Sequence, residues 1–134
     1  MQIDLVIFDL DGVLVDACEW HRLALNEALK EVCNNGIKVA CYTNSIRETG
    51  SLMLKKTGVY ELFDLFVSNQ EVPKPKPDPI GYIQIMEHFG INKSNTLIIE
   101  DSEKGLLAAL NSGAKVIKVA GPDHVNIELF RSKR

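Results

Sequence analysis

Excess positive charge, paired cysteine motifs, long apolar runs and internal repeats are all missing from this chain of 134 residues. Fifteen Lys and Arg stand against eighteen Asp and Glu, a net charge of -3 that gives no electrostatic basis for generic nucleic-acid binding. Three cysteines, Cys18, Cys33 and Cys41, have no metal-ligand spacing, and pairing two would leave an odd thiol. No apolar run approaches bilayer length, so no membrane association is expected, and the N-terminus passes straight into a strand pattern without the charged start of a secretory leader. These absences together place the expected compartment in the reducing cytoplasm. Cys41, between Ala40 and Tyr42, then reads as a small core residue. Proline is scarce too, and four of the five lie between Pro73 and Pro79. What is present, 46% hydrophobic and 25% charged residues, suits one globular domain over 1–134 with a single core.

Short apolar runs alternate with helical patterns. Ile3 to Phe8, Ile37 to Tyr42, Leu65 to Val67, Thr96 to Ile99 and Lys115 to Val119 read as five strands. Helices are expected from Asp16 to about Asn34, from Ile46 to Lys56, up to Phe89, from Glu103 to Asn111, and from Asp123 to Phe130. In the first, Leu25, Ala28, Leu29 and Val32 recur at i, i+3, i+4 and i+7, which marks its core face. The proline-rich stretch from Val72 to Pro79 cannot be regular structure. Strands alternating with helices predict an α/β Rossmann-like three-layer sandwich around a parallel sheet of about five strands. Ligands in such sheets bind at the carboxyl ends of strands, beside the switch in strand order.

Each notable polar cluster follows a strand: Asp9-Leu10-Asp11-Gly12, Thr43-Asn44 and Glu100-Asp101, with Lys74 in the proline-rich loop after the third strand. Singly, each has a plainer explanation. Asp-x-Asp is common in turns, Thr-Asn caps helices, Glu-Asp suits a helix start, and a lysine among prolines is often a solvated charge. Their joint order at four strand ends makes coincidence improbable. Asp9 and Asp101 can share a hard cation with the Asp11 carbonyl, and magnesium takes such a set together with waters and phosphate. Glu100 can hold a coordinated water. The cation and Lys74 would offset repulsion between an attacking Asp9 carboxylate and a phosphate. The Thr43 hydroxyl and the Asn44 backbone N–H, taken to lie at a helix N-terminus, can grip the phosphate oxygens. Asp11 is placed to protonate a leaving alkoxide and then to activate water.

Phe8 to Asp16, Tyr42-Thr43-Asn44-Ser45, Lys74-Pro75-Lys76-Pro77-Asp78-Pro79 and Ile99 to Gly105 resemble the four signature motifs of the haloacid dehalogenase superfamily. The nearest branch is the one that includes beta-phosphoglucomutase and phosphoglycolate phosphatase. The resemblance runs from about Asp4 to Val119. It implies a magnesium-dependent phosphomonoester hydrolase with Asp9 as nucleophile and Asp11 as acid/base. Thr43, Asn44 and Lys74 would bind phosphate, and Asp9, Asp11, Glu100 and Asp101 would form the metal site. Lys74 is preferred to Lys76 because it opens the Lys-Pro-x-Pro-Asp signature. Sugar-phosphate mutase activity and a catalytically weak scaffold are the rival expectations.

Relatives in this branch insert a helical cap between the first motif and the threonine. Here Asp11 and Thr43 stand only 32 positions apart. The expectation is a capless domain in which 16–35 is a remnant helix, open to a bulky phosphorylated substrate. On that helix His21 reads as structural. Trp20 and Leu23 read either as an anchor for a second subunit in a homodimer, as a shade over the crevice, or, for Trp20, as packing on its own domain.

Overall fold

The computed structural model describes residues 2–10, 13–14 and 19–119, with the backbone alone over 19–22. Five strands, β1 (Leu5–Phe8), β2 (Lys38–Tyr42), β3 (Leu65–Val67), β4 (Thr96–Glu100) and β5 (Lys115–Lys118), alternate with four helices. These are α1 (Glu19–Asn34), α2 (Arg47–Lys56), α3 (Ile80–Phe89) and α4 (Glu103–Ser112). The elements expected from sequence are found to within a few residues. The expected start of the first helix, at 16–18, and the helix at 123–130 lie outside the described residues. Single turns of tighter helix at Tyr60–Leu62, Asn69–Glu71 and Lys93–Asn95 carry no periodic signal and were not expected.

All strands pair in parallel, in the order β3-β2-β1-β4-β5. A parallel sheet is covered on both faces, which is why its strands are nearly continuous apolar runs. Alternate side chains divide between two cores. Val6, Phe8, Val39, Cys41, Leu97 and Ile99 pack with Leu25, Leu29 and Val32 of α1 and Leu54 of α2. Leu5, Ile7, Ala40, Tyr42 and Ile98 pack with Tyr82, Ile85 and Met86 of α3 and Ala108 and Ala109 of α4. Each fully buried Leu or Ile contributes about 1.5–3 kcal/mol. The Leu25, Ala28, Leu29 and Val32 face is buried as its spacing predicts. Leu23 points the other way and is 64% exposed.

The chain builds outward from β1 to β2 and β3, then returns to the other side of β1 to lay down β4 and β5. That reversal puts the switch point between β1 and β4, where adjacent loops diverge and leave a crevice. Phe8 is in register with Ile99 on one side and Cys41 on the other. The residues following them, Asp9, Glu100 and Tyr42, are thus brought side by side. The Asp9 N–H extends the ladder by donating to Ile99 O at 3.0 Å.

Candidate active site

Asp9 follows β1 directly and is buried, and Glu100 closes β4 with no exposed surface. Between them sits the ammonium of Lys76, delivered by the proline-rich loop. Lys76 Nζ lies 2.9 Å from Asp9 Oδ1, 2.8 Å from Glu100 Oε2 and 3.0 Å from Tyr42 O. An ammonium has three N–H donors, and each finds an acceptor here. The Tyr42 and Tyr82 rings meet edge to face at 5.0 Å, and Nζ lies 4.7 and 5.3 Å from their centroids. Aromatic faces support a desolvated cation in this position.

The lysine at the site is therefore Lys76, which corrects the expectation of Lys74. Lys74 is exposed, two residues along the same loop. The Pro-Lys-Pro-Lys-Pro run presents two similar lysines, and the choice is made by how the loop is fastened. The Asn44 side chain binds both backbone polar groups of residue 76: Lys76 N–H donates to Asn44 Oδ1 at 3.0 Å, and Asn44 Nδ2 donates to Lys76 O at 3.2 Å. Asn69 Nδ2 in turn donates to Asn44 O at 2.8 Å. The Asn69–Glu71 turn is itself fixed by a Ser68–Glu71 capping box and by Arg47, which pairs with Glu71 at 2.8 Å.

Asn44 does not lie at a helix N-terminus, which corrects that expectation as well. Helix α2 begins at Arg47 with Ile46 as its N-cap, so Thr43-Asn44-Ser45 forms a separate turn. In that turn Thr43 is fully buried, and its Oγ1 accepts from Ser45 N–H at 3.0 Å.

Glu100 joins more elements than its sequence position suggested. Its Oε2 accepts from Lys76 Nζ and from the Tyr82 hydroxyl, the latter at 2.7 Å. Its Oε1 faces the Asp101 N–H at 3.1 Å and the Ser102 N–H at 3.5 Å. The carboxylate fits beneath α4 because residue 105 is glycine: a Cβ there would collide with the Glu100 carboxylate. Residue 81 is glycine for a similar reason, since a Cβ would strike the Tyr42 ring. Tyr82 was missed in the sequence, where it reads only as an apolar position of α3.

The electrostatics follow from burial. Desolvation pushes the Asp9 carboxyl up to about 8; Lys76 pulls it down, and the Glu100 charge adds to the rise. Burial opposes the ionised form of Glu100 as well, but Lys76 and the hydrogen bonds from Lys76 and Tyr82 outweigh it and hold Glu100 below its usual value. Desolvation likewise opposes the Lys76 charge, and the two carboxylates more than restore it. Tyr82, buried and facing Glu100, is raised well above the usual phenol range and stays a donor.

Asp9, Glu100 and Asp101 each bring a carboxylate oxygen within 4.8 Å of the others. With all three carboxylates ionised, the Lys76 ammonium between Asp9 and Glu100 balances one charge, and a divalent cation would balance the other two. Asp101 Oδ1 is buried and lacks a hydrogen-bond partner among the described residues. Such an orphaned oxygen beside a raised Asp9 fits a hard cation that takes carboxylate ligands. Magnesium therefore suits this donor set. Asp11, expected to add a carbonyl ligand and the acid/base, lies outside the described residues, as does Gly12. The crevice above the group measures about 510 Å3 and is lined by Asp9, Asn44, Lys76, Asp101, Ser102 and residues 103–104. A larger, more apolar cleft of about 690 Å3 between α3 and the 90–94 loop shares none of these residues.

Comparison with known proteins bears on the family and the fold. A family model described as haloacid dehalogenase-like hydrolase matches residues 23–119. A phosphoglycolate phosphatase of Thiobacillus denitrificans is 36% identical over 93 residues, covering 69% of this chain and 41% of that protein. The pyrophosphatase PpaX of Halalkalibacterium halodurans is 33% identical over 103 residues, 74% of this chain and 48% of that one. The chain thus spans less than half the length of these curated relatives. A subfamily IA hydrolase of the same superfamily from Geobacter sulfurreducens superposes with a TM-score of 0.77 at 20% identity, covering 90% of this chain and 91% of that chain. At that identity the likeness speaks for the fold.

Proposed function

This chain belongs to the haloacid dehalogenase-like hydrolase family, and from that membership and the Asp9 crevice we propose that it hydrolyses phosphate monoesters through a phosphorylated Asp9. The observation that carries the reading is the buried Asp9–Lys76–Glu100 group at the strand switch point, with the orphaned Asp101 oxygen beside it.

In this scheme the substrate phosphate enters the crevice, and a carboxylate oxygen of Asp9 attacks phosphorus while the ester oxygen leaves. Asp11, two residues on, gives that oxygen its proton. The same carboxylate then takes a proton from water, whose oxygen attacks the phosphorus of the aspartyl-phosphate, releasing inorganic phosphate and restoring Asp9. Lys76 holds Asp9 in place and places positive charge next to the phosphoryl oxygens in transit. The Thr43-Asn44 turn supplies the hydroxyl and backbone N–H expected to grip those oxygens. Magnesium, held by Asp9, Asp101 and the Asp11 carbonyl with Glu100 alongside, would screen the repulsion between carboxylate and phosphate.

The phosphatase names of the relatives favour hydrolysis over transfer to a second sugar position. The short interval between Asp11 and Thr43 is in keeping with a crevice that carries no cap and admits a bulky phosphorylated substrate. The exposed Leu23 on α1 is available to a second copy of the chain. A cytoplasmic setting is part of the same proposal.

The test is turnover of a generic aryl phosphate with magnesium. Wild type should release phosphate, and both chelator and Asp9→Asn should stop it. A folded, magnesium-binding wild type that turns over no ester would overturn the reading in favour of a binding domain.

A further inference from the structure

An unbroken line of hydrogen bonds runs from helix α3 to the proposed nucleophile: Tyr82 hydroxyl to Glu100 Oε2 at 2.7 Å, Lys76 Nζ to the same oxygen at 2.8 Å, and Lys76 Nζ to Asp9 Oδ1 at 2.9 Å. Tyr82 has no exposed surface, and its ring packs edge to face on Tyr42 within the apolar core. Packing therefore does not require the hydroxyl. Among the described residues its hydrogen-bond partner is the carboxylate oxygen that also receives the lysine.

We infer that Tyr82 is a positioning residue, which acts through Glu100 to hold the Lys76 ammonium against Asp9; this rests on the phosphatase reading only for its catalytic consequence. A carboxylate whose one oxygen meets backbone N–H groups and whose other oxygen meets only the end of a long lysine side chain keeps some freedom about its side-chain torsions. Tyr82 supplies a second, rigid donor to that other oxygen. With both ends fastened, Oε2 stays where its distances to Nζ and to the tyrosine are each short. The ammonium, which has no donor to spare, is then centred between Glu100, Asp9 and the Tyr42 carbonyl. Without the hydroxyl, Oε2 has Lys76 as its only described partner and draws the ammonium away from Asp9.

Tyr82→Phe isolates the effect, because it keeps the ring and its packing on Tyr42. Two measurements on the full chain read it. The first is hydrogen exchange of the Lys76 ammonium, followed by proton–nitrogen NMR, which needs no substrate. Exchange should quicken about tenfold, the scale of one hydrogen bond to a charged group. The second is steady-state hydrolysis of an aryl phosphate with magnesium. Here kcat should fall about tenfold while KM stays within about twofold, since the affected contact orients the nucleophile. A Tyr82→Phe protein whose ammonium exchange and kcat both match the wild type would overturn the inference. Quickened exchange in a protein whose wild type hydrolyses no phosphate ester would sustain the positioning role and reject the phosphatase reading instead.

Discussion

The side-chain amide of Asn44 spans the backbone of Lys76, accepting its N–H at 3.0 Å and donating to its carbonyl at 3.2 Å. The pair closes a ring like one rung of a strand ladder, between a turn after β2 and a loop that is 32 residues further on. It decides which lysine of the loop enters the crevice.

Asn44→Ala should therefore release the loop. Two hydrogen bonds at about 0.5–1.5 kcal/mol each give an expected loss of about 1–3 kcal/mol in urea unfolding. Turnover should drop further than stability accounts for, because the ammonium loses its registration on Asp9. Asn44→Asp keeps the acceptor for Lys76 N–H and should fall between wild type and alanine. If alanine leaves turnover unchanged, Asn44 does not fasten the loop.

The two lysines separate cleanly. Lys76→Met leaves Glu100 and Asp9 facing each other in a buried site without their ammonium, and breaking a buried pair in this way costs about 3–5 kcal/mol. It should also abolish turnover. Lys74→Met removes an exposed charge and should change stability by less than about 0.5 kcal/mol, with turnover near wild type. The reverse pattern would restore Lys74 as the site lysine.

This pair of lysines marks where the sequence stops being legible. The five strands could be read because each is a short apolar run bounded by turn residues, and Asp9, Thr43 and Glu100-Asp101 could be read because each ends such a run. Lys74 and Lys76 lie in a loop without periodicity, each followed by proline, so a motif alone cannot choose between them. The choice depends on the Asn44 bridge and on three acceptors drawn from β1, β2 and β4. Tyr82 was hidden for another reason: a tyrosine on the buried face of a helix has the same periodicity whether its hydroxyl serves a site or merely finds a partner. Asn44 was read for its backbone N–H, and its side chain turned out to face the loop.

The raised Asp9 has a consequence for stability. Between its ordinary 3.8 and about 8, the native protein holds a proton that the unfolded chain has already released. Stability from this group therefore falls as pH rises through that interval, and the penalty is complete above 8. Glu100, held low, acts in the opposite sense: its contribution is present above its usual 4.5 and is lost as pH falls. In chelator, Asp9→Asn should be more stable than wild type at pH 8 by at least about 1 kcal/mol, with the gap closing toward pH 4. Magnesium should narrow the gap at pH 8 by stabilising the wild type. Equal stability of the two proteins at pH 8 in chelator would show that burial does not strain the nucleophile.

Asp101 should report on the cation alone. Its Oδ1 has no partner among the described residues, so Asp101→Asn costs no described hydrogen bond at that atom. The variant should unfold at the wild-type urea concentration or above it, yet lose at least about tenfold in magnesium affinity by titration calorimetry, since a neutral amide replaces an anionic ligand. Unchanged affinity would place the cation elsewhere.

The central claim is a covalent bond between Asp9 and phosphorus. Acid-quenching the protein during turnover of an aryl phosphate, followed by peptide mass spectrometry, tests it most directly. A phosphoryl adduct is expected on the peptide containing Asp9, lost on treatment with hydroxylamine and absent from Asp9→Asn. Steady turnover with no adduct, or with Asp9→Asn as active as wild type, would contradict it.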